Sequence, residues 1–114
     1  LNLKEMEEAL KLIVGTHDFK AFMASGSSVK TTVRTVYEAN LIKENNLIKI
    51  YIRGNGFLYN MVRIIAGTII DIGKGLKDIS CIEKALTEKD RTLLGQTAPA
   101  KGLFLMCVNY KKIA

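Results

Sequence analysis

Apolar residues recur at helical spacing at the start of the chain: Leu3, Met6, Leu10, Ile13 and Val14. Asn2 stands immediately before them, with Glu5 three residues on, which is the spacing of a helix N-cap and its capping partner. Gly15 follows the last apolar position, where a helix commonly ends. The pattern predicts a first helix from about Leu3 to Val14.

The segment from Gly15 to Lys30 is rich in Gly and Ser and shows neither helical nor strand periodicity. It nevertheless contains three large apolar residues that need to be covered, Phe19, Phe22 and Met23. We therefore expect an ordered loop here rather than a flexible linker.

Two neighbouring segments show the pattern of β-strands. β-Branched residues dominate between Thr31 and Ile42, and strict alternation extends from Leu47 to Arg53. In the second segment Ile48, Ile50 and Ile52 alternate with Lys49, Tyr51 and Arg53. Because Lys43 to Asn46 has turn composition, we expect a hairpin with one face in the core. Its other face is either solvated or an RNA-binding surface.

Helical patterns return after the turn Gly54-Asn55-Gly56. We predict a long helix whose apolar residues cover most of its circumference: Phe57, Leu58, Met61, Val62, Ile64, Ile65, Ile69 and Ile70. Ser80-Cys81-Ile82-Glu83 has the pattern of a capping box and predicts a third helix to about Lys89. A loop with Pro99 then leads to a final strand, predicted from Leu103 to Tyr110.

This order of elements predicts an α+β fold, with an antiparallel or mixed sheet and helices packed on one face. Residues 1–114 form one domain in this interpretation, without an internal repeat. Three predicted strands make a sheet with two open edges. Because unpaired edges usually find partners, we expect upstream strands or a second subunit to complete the sheet.

Composition and charge narrow the class of protein. The 114 residues are 48% hydrophobic and 25% charged, which suits one compact soluble domain, and the net charge of +6 favours a polyanionic partner. The longest apolar stretch, residues 57–72, is interrupted by polar residues, so we expect a buried helix rather than a membrane span. Cys81 and Cys107 lack metal-ligand spacing, and we expect both to be reduced and buried. The chain begins with Leu1, as expected of a piece of something longer.

Three features invite a chemical interpretation. His17-Asp18 suggests a general base, but adjacent residues do not face each other and a structural role is favoured. Gly54-Asn55-Gly56 does not extend to a dinucleotide-binding motif. Arg63 differs, because a guanidinium within an apolar helix needs a carboxylate or phosphate partner. A salt bridge to Asp18 or Asp71 and an active-site role explain it equally well.

Three motifs, in the same order, resemble the C-terminal half of TruA-type tRNA pseudouridine synthases: residues 15–22 (GTHDFKAF), 54–63 (GNGFLYNMVR) and 97–105 (TAPAKGLFL). Arg91-Thr92 also resembles the family, although Leu94 replaces a small residue. The resemblance extends over nearly the whole chain and implies a cytoplasmic enzyme that converts uridine to pseudouridine in the tRNA anticodon stem-loop, without cofactor or metal.

The resemblance also implies roles for two residues. Arg63 matches the basic residue that pairs with the catalytic aspartate, and Leu103 matches the apolar residue that lines the uracil pocket. The aspartate itself belongs to an N-terminal motif that this chain lacks. The tyrosine that stacks on the target base is upstream as well, so Tyr37, Tyr51 and Tyr59 receive no such role.

Several further expectations follow. Five residues are candidates for contacts with the tRNA backbone, although a surface role explains each as well: Arg34, Lys49, Arg53, Asn55 and Lys101. The resemblance implies that the parent enzyme is a homodimer and that the missing N-terminal half is a partner of this chain. The alternatives are a stand-alone RNA-binding module and a small α+β interaction domain without catalysis.

Overall fold

The computed structural model describes residues 1–24, 29–45 and 47–98, together with the backbone of residues 105–110. Their helices and strands are, in chain order, α1 (Leu3–Leu12), β1 (Gly15–Asp18), β2 (Val33–Glu44), β3 (Leu47–Gly54), α2 (Met61–Gly73), α3 (Ser80–Glu88) and β4 (Leu105–Tyr110). Short 3-10 helices span Lys20–Phe22 and Arg91–Leu93. The α+β class is confirmed.

The strands form one mixed sheet in the order β1-β2-β3-β4, with β4 parallel to β3 and the other pairs antiparallel. The predicted hairpin is confirmed, with Leu41 opposite Ile50 and Ala39 opposite Ile52. Ile50 and Ile52 are buried in the core shared with the helices, whereas the alternate residues of β3 are only half-buried. Side-chain alternation thus fixes which face of the sheet the helices cover.

Strand β1 corrects the prediction of a loop from residue 15 to residue 30. Its four residues are polar or small, so no alternation marks them as a strand. They are held instead by pairing with β2, where His17 lies opposite Arg34. Phe19 and Phe22 are fully buried, as expected, and Met23 is half-buried; residues 25–28 lie outside the described part.

The described sheet therefore has four strands rather than three, and β1 and β4 are its edges. The prediction that upstream strands or a second subunit complete the sheet remains a prediction.

Helix α1 begins as the sequence indicates. The Asn2 side-chain Oδ1 accepts a hydrogen bond of 3.2 Å from the backbone N–H of Glu5, which satisfies one of the free amides of the first turn. The helix ends at Leu12, two residues before the predicted end, and Gly15 opens β1 with a φ of 115°. A glycine is favoured there because this backbone conformation is costly for residues with a Cβ.

Helix α2 begins at Met61, not near Phe57 as predicted. Asn60 precedes it in the left-handed conformation (φ 59°), which no α-helix can include, so the apolar residues Phe57 and Leu58 belong to the connection from β3. The predicted burial is confirmed, since ten of its thirteen residues are buried. In the described part of the chain, no helix is long and apolar enough to cross a membrane.

Helix α3 extends from Ser80 to Glu88, close to the predicted bounds, but the predicted capping box is wrong. Ser80 is already the first helical residue, and its backbone N–H donates to the Asp78 Oδ2 at 3.0 Å. The Ser80 hydroxyl and backbone N–H lower the pKa of Asp78. An aspartate two residues earlier thus takes the place of the predicted serine cap.

A chain segment, residues Gly95–Ala98 and called the strap below, lies directly against α2. A Cβ at Gly67 would lie 1.8 Å from the backbone oxygen of Gln96, so only glycine permits this approach. The Thr68 hydroxyl accepts a 2.9 Å hydrogen bond from the Gly95 N–H and donates to the Ile64 carbonyl within the helix. The strap therefore depends on a contact between two backbones.

We predict that Gly67→Ala destabilises the fold by roughly 1 to 3 kcal/mol, because the strap must move away from α2. Alanine normally stabilises a helix interior by about 0.5 to 1 kcal/mol relative to glycine, so the expected sign is the opposite of the helix propensity. Urea denaturation measures the difference. Gly73→Ala, in the same helix, is the control, since the atoms nearest to its Cβ would belong to the Met6 and Leu1 side chains rather than to a backbone. Equal effects at the two positions would contradict the prediction.

Candidate active site around Arg63

Arg63 is the third residue of α2, and the left-handed residue Asn60 immediately precedes the helix. The backbone N–H groups of a helix N-terminus carry a partial positive charge, so a cation there is unfavourable unless an anion binds nearby. The Asn60 side chain makes no capping hydrogen bond to the helix backbone. Its Oδ1 instead accepts a hydrogen bond from the Arg63 Nη1 at 3.3 Å.

Arg63 also joins α2 to the strap through two hydrogen bonds with Ala98. Its Nε donates to the Ala98 carbonyl at 2.8 Å, and its own carbonyl accepts from the Ala98 N–H at 3.0 Å. The guanidinium of the half-buried Arg63 is therefore fixed in part by a residue 35 positions away in the sequence. A side chain held in this way needs little further ordering when it binds a ligand.

Within the described ranges, no partner binds the outer edge of the Arg63 guanidinium. Both known acceptors, at Ala98 and Asn60, are neutral oxygens, and they engage Nε and one N–H of Nη1. Among the described residues Nη2 makes no hydrogen bond, and no polar atom there is buried without a partner. The Nη1–Nη2 edge can thus accept a carboxylate in two-point geometry.

The alternative, a salt bridge from Arg63 to Asp18 or Asp71, is wrong. Within the described ranges Arg63 forms no ion pair. Asp18 contacts the Thr32 hydroxyl at 2.6 Å and the Lys89 Nζ at 3.4 Å, and the Thr32 hydrogen bond is the main cause of its lowered pKa. Asp71 lies farther along α2, beside Gly95. Neither acid neutralises Arg63.

Arg91 is a second arginine that binds the strap, and its role is not evident from the sequence pattern. Its Nη1 donates to the Gly95 carbonyl at 2.7 Å and its Nη2 to the Thr97 hydroxyl at 3.3 Å. Asp90 caps the short helix that carries Arg91, accepting from the Thr92 N–H at 2.9 Å. The likeness of Arg91-Thr92 to the family was the only signal in the sequence that could have identified it.

His17 and Asp18 do not form a catalytic pair. The His17 Nε2 lies 3.0 Å from the Val14 carbonyl, and its ring meets that of Phe19 edge-on at 5.5 Å. Asp18 accepts from the Lys20 N–H at 3.1 Å in addition to its contact with Thr32. Both side chains order the turn that follows β1.

Four of the five predicted RNA-contact residues are described, and each has an internal partner. The Arg34 Nη1 donates to two backbone carbonyls, Lys49 forms an ion pair of 3.2 Å with Glu44, and Arg53 lies over the Tyr37 ring at 5.2 Å. Asn55 joins β3 to β2 through hydrogen bonds with the Thr35 backbone. None of the four is hydrogen-bonded to Arg63.

The remaining predicted site residues, Lys101 and Leu103, lie outside the described residues. Ala98 is the last described residue before them, so the strap leads from Arg63 directly into the segment that contains both. Lys49 and Arg53 share the half-buried face of β3 with Tyr51.

Possible metal ligands and the Cys81 thiol are further candidates for chemistry among the described residues. In the part of the chain that the structure describes, no three His, Cys, Asp or Glu side chains are placed to hold a metal ion. The Cys81 thiol is free and half-buried rather than fully buried, and desolvation raises its pKa. The Cys107 side chain is outside the described residues.

Comparison with known proteins supports the resemblance given by the motifs. Residues 9–111 match the tRNA pseudouridine synthase family. The tRNA pseudouridine synthase A 2 of Clostridium tetani is 49% identical over 105 residues, which make up 92% of this chain and 42% of that protein. The tRNA pseudouridine synthase A of Ruminiclostridium cellulolyticum is 50% identical over 111 residues, covering 96% of this chain and 45% of that protein.

This chain spans less than half the length of these curated relatives. The family match covers residues 9–111, which include Arg63 and the strap. The chain belongs to the tRNA pseudouridine synthase family.

Proposed function

We propose that this chain is the C-terminal part of an isomerase that converts uridine to pseudouridine in the anticodon stem-loop of tRNA. The observation that carries the proposal is the free Nη1–Nη2 edge of Arg63 at the N-terminus of α2, without a carboxylate partner among the described residues. In the proposed enzyme that partner is the catalytic aspartate of the N-terminal half. The coverage of the relatives supports a missing half of comparable size.

The electrostatics of this pairing suit a nucleophilic carboxylate. A carboxylate enclosed in a pocket tends to take up a proton, whereas an adjacent guanidinium keeps it ionised. The planar fork of Arg63 also fixes the orientation of both carboxylate oxygens. The partial positive charge at the start of α2 adds to the same effect.

Leu103 supplies the apolar wall of the proposed uracil pocket. An apolar contact with the extruded base excludes water and holds the ring in place. The aspartate then promotes cleavage of the glycosidic bond between N1 and the ribose, and the same ribose carbon is joined to C5 of the rotated ring. The atoms of substrate and product are the same, so the proposed reaction needs neither cofactor nor metal.

The proposal extends to the partners and location of the protein. The intact enzyme is a cytoplasmic homodimer that binds tRNA, in keeping with the +6 charge of this chain. Arg34, Lys49, Arg53, Asn55 and Lys101 remain the proposed contacts to the tRNA backbone. Their internal partners hold the first four in fixed orientations, which lowers the entropic cost of binding.

The purified chain should form no pseudouridine on unmodified tRNA, because binding cannot replace the missing nucleophile. The longer protein that contains it should be active in the same assay. Pseudouridine is quantified by mass spectrometry of nucleosides after digestion. Turnover by the 114-residue chain alone would contradict the assignment of roles.

In the complete enzyme, Arg63→Lys should fold and bind tRNA but lower kcat by about 100-fold or more, since an ammonium cannot grip a carboxylate at two points. Single-turnover kinetics with saturating tRNA measures the change. Lys74→Arg, at the exposed C-terminal end of the same helix, is the charge-conserving control. If Arg63→Lys retains kcat, Arg63 does not pair with the nucleophile.

This chain should bind tRNA weakly, with an affinity that falls steeply as salt rises and depends little on sequence, because phosphate contacts dominate. Fluorescence anisotropy at several salt concentrations measures the slope. An absence of association at low salt would mean that the missing half supplies most of the tRNA surface.

A further inference from the structure

A hollow of about 570 Å³ lies beside the strap, which contributes Thr97 to its lining. It is lined by Lys20, Met23, Ala24, Lys89, Arg91 and Thr97, and we call it the basic hollow. Its volume is within the range of about 300 to 1,000 Å³ found for small-molecule sites. Three of its lining residues are cations and none is an acid.

The charge of the basic hollow is only partly neutralised. Asp18 pairs with Lys89 at 3.4 Å, but the Lys89 side chain is 50% exposed, so solvent screens the pair. Lys20 is exposed, and its side chain makes no ion pair or hydrogen bond within the described residues. One acid thus faces three cations, which leaves an excess of two positive charges.

Arg91 gives the basic hollow a fixed donor group. Its two hydrogen bonds to the strap hold the half-buried Arg91 in one orientation, and its other N–H groups have no partner among the described residues. A planar guanidinium with free N–H groups matches the oxygens of a phosphate, and its fixed position reduces the entropy lost on binding. The Thr97 hydroxyl lies beside it as a further polar group.

Lys89, on the wall of the basic hollow, has an unusual backbone conformation for a lysine. Lys89 ends α3 in the left-handed conformation (φ 59°), where glycine or asparagine is usual. The other two non-glycine residues with positive φ in the described ranges, Asn45 and Asn60, are asparagines. A lysine in this conformation costs roughly 1 kcal/mol, which a ligand contact would offset.

Two of the residues that line the basic hollow are close to the hydrogen-bond partners of Arg63, which are Ala98 and Asn60. Thr97 precedes Ala98, whose carbonyl accepts from the Arg63 Nε. On the other wall, the Ala24 N–H donates to the carbonyl of Tyr59, the neighbour of Asn60. A ligand in the hollow therefore lies next to the proposed reaction site.

We propose that the basic hollow binds a phosphodiester group of the tRNA strand close to the target uridine. This inference rests on the proposed function, which places a tRNA at Arg63. The phosphate fixes the strand, while the neighbouring base is extruded towards Arg63. Backbone contacts of this type position a nucleic acid without reading its sequence.

The test compares two pairs of substitutions in the complete enzyme. Lys20→Gln with Lys89→Gln removes two charges from the hollow, and Lys4→Gln with Lys74→Gln removes two exposed charges elsewhere. Relative to the control pair, the hollow variant should bind tRNA about tenfold more weakly, with a salt slope smaller by about one to two. Equal changes in the two variants would overturn the proposal. Lys20→Gln alone tests the hollow without disturbing the Asp18–Lys89 pair.

A chemical substitution identifies the ligand as a phosphodiester. Single uncharged methylphosphonate groups are placed in turn along an anticodon stem-loop RNA. One position near the target uridine should weaken binding to the wild-type enzyme but not to Lys20→Gln, because both changes remove the same contact. Additive effects at every position would overturn the proposal. Since binding and pseudouridine formation are measured separately, an enzyme that binds in this way without isomerising uridine contradicts only the proposed function.

Discussion

The candidate site depends on the close approach of two backbones, the strap and helix α2. Gly67 makes this possible, because any side chain there would occupy the position of the Gln96 carbonyl. The contact brings Ala98 within hydrogen-bonding distance of Arg63 and the Gly95 N–H within reach of Thr68. Without it, Arg63 would lose its strongest anchor, and the segment towards Leu103 would start from a different place.

Arg63 is an example of a cation that the fold orients without neutralising. Its acceptors are a carbonyl and an amide oxygen, which satisfy part of the guanidinium but leave its charge uncompensated. Such a group is costly at a helix N-terminus, and a carboxylate from outside the described residues would relieve that cost. Arg91 takes two similar neutral acceptors on the strap. The strap is thus held from two sides by arginines that retain free donors.

Much of the fold could be predicted from local patterns, since the alternation in β3 and the Asn2 cap of α1 depend on neighbouring residues. One failure was local, since Asp78 replaces the predicted Ser80 cap, and the others depended on distant partners or on one backbone angle. Strand β1 is defined by pairing with β2, and the start of α2 is set by the left-handed Asn60. At the site, a lone cation in an apolar helix drew attention to Arg63. Its anchor Ala98 is 35 residues away, and although it lies in the third family motif, nothing in the sequence pattern pairs it with Arg63.

Net charge does not by itself locate a surface that binds nucleic acid. The +6 charge arises from 17 basic and 11 acidic residues, and several of the cations already have partners. Lys49 is paired with Glu44 and Arg53 lies on Tyr37, so part of their electrostatic potential is already used within the sheet. Lys20 has no such partner among the described residues. Of the three cations at the basic hollow, only Lys89 forms an ion pair there, with Asp18. Among the described residues, uncompensated positive charge is thus concentrated at the basic hollow, where a polyanion gains most from it.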